Sequence, residues 1–349
     1  MDSDTFTSIA SPPPSCSKSL RDAELLMRWD GLILNTEGWY HPEGFAICEV
    51  MYAPTVAESA RTYFGQSYAK VTLHPNSSEP VPYSQRAAIL RSIDSSLDQR
   101  DQNPWFATYK QIIPLDDIVA RFPATRSLSH ALACQHPANH VRSDISNTLD
   151  LLDIQADVTD ALGLTGSPSL GATKNYHDCD LVFDATLKLN ADVGTRIDEL
   201  VKRDAHRRIF EGGKSWRIRF FNDRRGLMCC FFTYTQPDID APLRTFEEKL
   251  LRDDVVLEGI VTDSTHSYYT PTILTVSSIV SNCSGLPADL QVVAYHTASR
   301  GEFHAGDRLR ASGALVIHTG SGSDSMSLCV IERDGLVNLS PPWFPYYQG

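Results

Sequence analysis

The sequence predicts an α+β protein of three successive parts, and three observations support this fold class. Strand-like runs dominate residues 21–125, helical and strand patterns alternate over residues 126–250, and strands return over residues 251–340. A chain of 349 residues has the length of two to three domains, at roughly 150 residues per domain. With 42% hydrophobic and 21% charged residues, the composition is that of a globular protein and excludes a wholly disordered, collagen-like or coiled-coil chain.

The chain begins with a segment that we expect to be a disordered tail, residues 1–20. It is rich in serine and proline and lacks the basic and apolar segments of a signal peptide. Residues 21–125 are predicted to form an N-terminal β-rich α+β domain. Within this domain, residues 29–73 alternate runs such as GLIL and FAICEVMYA with turn signals, and residues 84–98 place apolar side chains at a helical period.

The second part, residues 126–250, is predicted to be a mixed core of helices and strands. The segment SDISNTLDLLD indicates a helix, and a short strand ends at Thr165. A strand with the sequence DLVFDATL and a helix near residues 192–210 follow. The strands SWRIRFF and LMCCFFTY are joined by NDRRG, which is typical of a hairpin loop.

The third part, residues 251–340, is predicted to be a small closed β-barrel of the oligonucleotide-binding (OB) type. Its strand-like runs recur every 8 to 15 residues and are separated by glycine, serine and asparagine. Such a barrel either stacks nucleotide bases on an aromatic ring such as Phe303 or supports the core, and we expect the second role. Residues 341–349 are aromatic and rich in proline, and we expect an extended tail there.

Charge and cysteine usage restrict the partners and the compartment. Lys and Arg number 31 and Asp and Glu 43, giving a net charge of −12. This balance disfavours duplex DNA, because phosphate binding depends on basic residues that displace counterions. The eight cysteines form no CxxC pair, and uncharged apolar runs fall short of the roughly 20 residues that span a bilayer. We therefore expect a reduced, cytoplasmic protein that does not bind membranes.

The most informative segment is LTGSPSLGATKNYHDCDLVFDA, residues 164–185. An apolar strand leads into Gly166 and Ser167, and Ser167 is expected to cap a helix with Pro168 at its first position. The exposed helix N-terminus predicted there would attract an anion such as phosphate. Asp178 and Asp180 begin the next strand and share one face, which is the arrangement that hard divalent ions such as Mg²⁺ require.

These residues resemble a known superfamily. The pattern GS-x(3)-G-x(6)-D-x-D is similar to the motif of nucleotidyltransferases with the DNA polymerase β type of fold, and it matches at Gly166, Ser167, Gly171, Asp178 and Asp180. More loosely, the chain resembles predicted archaeal and bacterial nucleotidyltransferases with flanking β-rich parts, through DGLILNTEGWYHPEGFAICEVMYAP and VTDSTHSYYTP. The resemblance implies a polymerase β-type core flanked by the N-terminal domain and the barrel.

The resemblance also implies a chemistry. An acceptor hydroxyl would attack the α-phosphorus of a nucleoside triphosphate, and pyrophosphate would leave. The metal ions, Mg²⁺ or Mn²⁺, would be held by Asp178 and Asp180. The nucleotide would be bound by Gly166, Ser167 and Gly171.

A third carboxylate usually helps to activate the acceptor in this superfamily. The strands SWRIRFF and LMCCFFTY contain no acid. We expect Asp223, at a strand end, to take the catalytic role, with Glu211 and Asp184 as alternatives. The missing acid within the strands leaves a second interpretation open, an inactive nucleotidyltransferase-like module that binds a nucleotide or RNA. The aromatic C-terminal tail alone suggests a third, a structural protein of a larger assembly.

A basic segment follows the carboxylates. Residues 202–225 carry nine basic and three acidic side chains, a local charge of +6. Arg217 and Arg219 share one strand face and are predicted to contact the phosphates of the nucleotide or of RNA. The sequence therefore predicts a Mg²⁺-dependent nucleotidyltransferase whose partners are a nucleoside triphosphate and an unidentified acceptor, a small molecule or RNA.

Overall fold

The fold is known from a computed structural model, and it is a mixed α+β fold, mostly sheets with few helices. The structure describes residues 3–56, 61–72, 81–99, 103–134, 140–154, 161–172, 176–211, 214–243, 247–319 and 324–340. The chain divides into two compact units. Unit 1 comprises Met1–Asn103, Thr108–Asp184 and Asn222–Thr233. Unit 2 comprises Pro104–Ala107, Ala185–Phe221 and Tyr234–Gly349.

The helices are short apart from one. In chain order they are α1 (Ser3–Ile9), α2 (Tyr83–Ile93), α3 (Ala124–Ala133), α4 (Val141–Leu151), α5 (Gly166–Ser169), α6 (Leu187–Arg203) and α7 (Pro237–Asp240). The longest, α6, begins earlier than the predicted helix near residues 192–210. The reason is local, because the Thr186 side chain accepts a hydrogen bond from the Leu189 N–H at 3.3 Å and starts the helix there. Asp204 ends it and caps the turn that follows.

The first sheet belongs to unit 1 and is built from residues 25–122. Its strands are β1 (Leu25–Arg28), β2 (Ile33–Thr36), β3 (Phe45–Pro54), β4 (Arg61–Tyr63), β5 (Gln66–Lys70), β6 (Gln111–Pro114) and β7 (Ile118–Phe122). The order is β4-β5-β3-β2-β1-β7, with β6 paired to β3, and the pairings are antiparallel. One core of this unit is built from alternate residues of the central strands, including Leu26, Leu34 and Val50.

The described residues of the expected disordered tail are ordered. Helix α1 occupies residues 3–9, Ile9 is fully buried, and the Phe6 ring packs edge-on against Phe64 and Phe122 at 5.1 and 5.9 Å between ring centroids. Ser11 then forms a β-bridge with Arg121. The serine- and proline-rich composition suggested disorder, but the buried Ile9 and the partly buried Phe6, at helical spacing, dock the segment.

The strands of the predicted core fall into both units. They are β8 (Leu162–Thr165), β9 (Cys179–Ala185), β10 (Arg208–Glu211), β11 (Lys214–Phe221) and β12 (Leu227–Tyr234). In unit 1, β9 pairs antiparallel with β8 and also neighbours β12, and the Phe183 and Phe232 rings stack at 5.5 Å. In unit 2, β10 pairs antiparallel with β11. The division therefore differs from the expected boundaries, because sequence periodicity locates elements but not the neighbours against which they pack.

The strands after residue 246 form a half-barrel sheet in unit 2, where a small closed barrel was predicted. They are β13 (Glu247–His266), β14 (Thr272–Ser281), β15 (Leu290–Ala294), β16 (Arg308–Thr319), β17 (Ser325–Val330) and β18 (Leu336–Asn338). The pairings run β13-β14-β15-β17-β16, and β16 pairs again with β13. Phe303 is fully buried in the core of this sheet. Its ring therefore packs rather than offering a surface for a base.

Further expectations concern the cysteines, membrane-spanning helices and the C-terminal tail. The eight cysteines are free thiols in the structure. Within the ranges that the structure describes, no helix has the length and apolar character needed to cross a membrane. The expected aromatic tail, residues 341–349, lies outside the described residues.

Candidate functional site

The predicted motif lies in unit 1, where strand β8 turns into α5. Thr165, the last residue of β8, is the register partner of Asp180 on β9. Gly166 follows with φ +67°, a left-handed conformation that L side chains rarely adopt. A Cβ atom at Gly166 would lie 2.1 Å from Asp180 Oδ2, which is closer than any real contact. The backbone of Gly166 therefore lies directly against the Asp180 carboxylate, and any other residue would be strained at this φ and would displace that carboxylate.

The exposed helix N-terminus predicted at this turn is wrong. Helix α5 is a single turn, and Ser167 within it is buried. The cap residue is Thr165 rather than Ser167, and the Thr165 hydroxyl donates to the Ala23 carbonyl instead of capping the helix. The macrodipole is a sum over aligned peptide units, and one turn aligns too few of them to make a strong anion site. Gly171 stops the helix, with φ +87°.

Gly171 has a packing role in the structure. A Cβ atom there would lie 2.8 Å from the Cγ2 atom of Thr5, which belongs to α1. The second glycine of the motif thus supports the docking of the N-terminal helix against the turn. That Gly171 binds nucleotide stays a prediction.

The two predicted metal ligands stand together at the start of β9. Asp178 directly precedes the strand and Asp180 is its second residue, and both are half-buried. Cys179 between them is fully buried. Because side chains alternate along a strand, Asp180 faces away from the buried Cys179. A pair of carboxylates thus flanks the entry to β9, beside the Gly166 turn.

Strands β3 and β4 bring residues to these carboxylates that sequence reasoning missed. Burial raises the pKa of Tyr52, and the charges of Tyr63 and Asp180 raise it further. Burial alone would lower the pKa of Arg61, but Tyr52, Tyr63 and Asp178 reverse that effect, and the net direction is upward. Arg61 therefore contributes a positive charge that acts on Asp178. No sequence signal pointed to these residues, because more than 100 positions separate them from the motif.

The three acids considered as a third carboxylate lie elsewhere. Asp184 is four residues beyond Asp180 on the same strand, about 13 Å away along it, and its Oδ2 lies 4.0 Å from Arg21 Nε. Burial raises the pKa of Asp184. Asp223 is exposed in the hairpin turn, where its N–H donates to Asn147 Oδ1 at 2.9 Å. The side chain of Glu211, the remaining alternative, lies outside the described residues.

Strand β12 presents a cysteine to the carboxylates. Burial, and secondarily the charge of Asp180, raises the pKa of the Cys230 thiol. Cys230 is fully buried and therefore remains a neutral thiol near Asp180. Strand β12 itself contains no acid, as the sequence indicated.

The hairpin turn that carries Asp223 is anchored to α4. Asp144 of that helix is buried, and its Oδ2 accepts a hydrogen bond from the Tyr176 hydroxyl. The Asn222 amide donates to Asp144 Oδ1 at 3.3 Å, and Arg224 Nε lies 3.4 Å from the same oxygen. The predicted hairpin loop is thus present and closed by the Asn222 N–H to the Gly226 carbonyl. Arg224 of the basic segment is used in this anchoring.

The predicted nucleotide-binding arginines lie on β11 in unit 2. Arg217 contacts the His304 ring, and His304 Nε2 lies 2.7 Å from Asp198 Oδ2. Burial lowers the pKa of Arg217, although Asp198 opposes this shift. The Arg219 guanidinium lies 5.1 Å from the centre of the Trp216 ring, in a cation–π contact. Each arginine thus has a protein partner within its own unit.

Comparisons of the chain with family models, with curated proteins and with solved structures find no match.

Proposed function

We propose that unit 1 carries a metal-dependent nucleotidyltransferase site centred on Asp178 and Asp180. One observation carries the proposal, the contact between the Gly166 backbone and the Asp180 carboxylate, with Thr165 and Asp180 in register. The glycine turn lies against a carboxylate at the start of a strand. This arrangement supports the resemblance to the polymerase β type of site.

The donor set suits Mg²⁺ or Mn²⁺. Both ions prefer hard oxygen ligands, and Mg²⁺ usually takes one or two carboxylates together with substrate phosphates. Asp178 and Asp180 are half-buried, so each retains exposed surface from which to bind an ion. When bound, the ion would neutralise the triphosphate and stabilise the charge that develops on it.

The protein residues divide the remaining work. The acceptor oxygen forms a bond to the α-phosphorus, the bond from that phosphorus to the pyrophosphate oxygen breaks, and the hydroxyl proton passes to solvent or to a carboxylate. Arg61 supplies a positive charge beside Asp178 that attracts the phosphates. The buried Tyr52 lies close enough to Asp180 for the aspartate charge to raise the pKa of Tyr52. The acceptor would be a small molecule or RNA.

A second candidate function is an inactive nucleotide- or RNA-binding module. It is favoured by the surroundings of the carboxylates, where β12 offers the neutral Cys230 and where Asp184 and Asp223 are engaged elsewhere. A site with two carboxylates and an arginine still binds a metal–nucleotide complex, but it lacks a base for the acceptor hydroxyl.

The proposal is tested with each α-labelled nucleoside triphosphate, Mg²⁺ or Mn²⁺, and pooled small-molecule and RNA acceptors. Asp178→Asn and Asp180→Asn keep the side-chain shape and remove the charge, and both are expected to abolish transfer. Asp192→Asn is the matched control, because Asp192 pairs with Lys188 on the exposed surface of α6 and such pairs contribute little. Label transfer that persists unchanged in both site variants overturns the metal-carboxylate site.

A binding measurement separates the two candidates. The enzyme and the binding module both bind Mn²⁺ with nucleotide. Loss of this binding in Asp178→Asn therefore supports a metal–nucleotide site at Asp178 and Asp180. Equal binding in the wild type and all variants rejects that site. If wild type binds but releases no pyrophosphate with any acceptor, the module is the function. Arg61→Gln is expected to tighten Mn²⁺ binding roughly fivefold, because a like charge worth about 1 kcal/mol is removed, and to weaken binding of the free nucleotide.

A further inference from the structure

A buried cluster of unlike donor groups lies in unit 2. It consists of Glu248 on β13, His318 on β16 and Cys329 on β17, with donor atoms that all lie within 4.8 Å of one another. The side chains of Glu248 and His318 are 4% and 0% exposed, and Cys329 is fully buried. Leu328 and Val330 on either side of Cys329 belong to the barrel core, so Cys329 points to the opposite face of the sheet.

Strand register brings the cluster together. Glu248 is the register partner of His318, and β16 pairs antiparallel with β17. Trp105 lies in a short helical turn of the same unit, and its backbone N–H donates to Glu248 Oε2 at 2.8 Å. The group therefore joins neighbouring strands of the barrel to a segment that comes from far earlier in the sequence.

The hydrogen bonds of the cluster orient the His318 ring. Its Nε2 contacts the Ser327 hydroxyl, and its Nδ1 lies 3.4 Å from Glu248 Oε1. With the ring proton on Nε2 donated to Ser327, the Nδ1 lone pair faces the glutamate. A hydrogen bond from the second ring nitrogen to an oxygen is the usual way in which a metal-binding histidine is held.

The hydrogen bonding of the Glu248 carboxylate is incomplete. Glu248 Oε1 is buried and makes no hydrogen bond to the described residues, and a buried carboxylate oxygen in that state costs free energy. His318 Nδ1 and Glu248 Oε1 lie 3.4 Å apart, so a cation placed between them would be bound by both atoms.

We propose that Glu248, His318 and Cys329 bind a Zn²⁺ ion. Carboxylate, imidazole and thiolate are its usual ligands, and tetrahedral coordination separates ligand atoms by about 3.3 to 3.8 Å, which fits the Nδ1 to Oε1 distance of 3.4 Å. The charges also balance, since Glu248 and the Cys329 thiolate together neutralise a divalent ion and His318 stays neutral. The thiol proton is released to solvent on binding. A water molecule completes the tetrahedron, and the thiolate selects Zn²⁺ over Mg²⁺.

The first measurement is the metal content of the full chain, purified without chelators and passed over a chelating resin, by plasma mass spectrometry. The expected content is about one zinc per chain. Cys329→Ser is expected to lower it at least tenfold. The matched control is Cys283→Ser, because Cys283 is half-buried at the edge of the same barrel and outside the cluster. Ser327→Ala is expected to weaken zinc binding about 10- to 100-fold, since it removes the bond that orients His318.

A second measurement needs no variant. Co²⁺ added to the metal-free wild type is expected to give a thiolate-to-cobalt charge-transfer band in the near ultraviolet, and Zn²⁺ is expected to abolish it while Mg²⁺ leaves it unchanged. This spectrum decides the question if Cys329→Ser does not fold. Folded wild type that takes up neither Zn²⁺ nor Co²⁺ overturns the proposal, as does a band that persists in Cys329→Ser. The Asp178 and Asp180 site is unaffected by either result.

Discussion

Replacing Gly166 with alanine tests the contact on which the candidate site depends. Two costs are expected. An L side chain at φ +67° costs about 1 to 2 kcal/mol in the backbone, and a Cβ atom 2.1 Å from Asp180 Oδ2 forces that carboxylate to move, at an added cost of about 1 kcal/mol. Gly44 separates the two costs, because it has φ +77° and nothing within 4 Å of an added Cβ. Gly44→Ala should therefore carry only the backbone cost.

The assay is urea unfolding followed by circular dichroism, in a double-mutant cycle with Asp180→Ala. In the wild-type background Gly166→Ala is expected to lower the free energy of unfolding by at least about 1 kcal/mol more than Gly44→Ala. In the Asp180→Ala background the excess should vanish, because the carboxylate that the new methyl group meets is gone. Equal losses for the two glycine variants in wild type, or an excess that survives in Asp180→Ala, would refute the reasoning.

Two further predictions concern unit 1. Ile9→Ala should lower the free energy of unfolding by about 2 to 5 kcal/mol and expose residues 3–11 to proteolysis, because Ile9 is fully buried. The control is Thr7→Ala, since Thr7 is exposed. Equal digestion of both variants contradicts the docking of α1. Burial lowers the pKa of His41 from 6.5 to about 3, so between these values the unfolded chain binds a proton that the folded chain does not. The free energy of unfolding should therefore fall as the pH drops below 6.5, by up to about 1.4 kcal/mol per pH unit. The urea midpoints at pH 7 and pH 5 should differ less in His41→Gln than in the wild type. A pH slope in His41→Gln equal to that of the wild type rules the effect out.

The sequence predicted well what local patterns determine. The helical period around Ile145 and Val193, the turn residues at Asn222–Gly226 and the alternating barrel strands each act over a few neighbouring positions. The placement of Asp178 and Asp180 at a strand start also followed from an apolar run beginning at that point. Such features depend on side chains within about one turn or one strand of each other.

What the sequence left undetermined depends on distant pairings. Arg61 and Tyr52 reach the carboxylates only because β3, β5 and β4 pair in that order. Glu248 and Cys329 are separated by about 80 residues and meet through the register of the barrel strands, so their spacing resembles no metal motif. The helix at Gly166 ended after one turn because of the backbone at Gly171, which no periodicity reveals.

The docking of α1 has a consequence for the order in which the chain folds. Thr5 is synthesised long before Gly171, yet the two are in contact, and Phe6 also needs Phe122 before it has a place to pack. Because domains fold largely as they emerge from the ribosome and distant contacts form slowly, the first segment to be made is among the last in unit 1 to dock. Until then its apolar side chains are exposed, and a chain shortened by these residues would leave the turn beside Asp180 uncovered on that side.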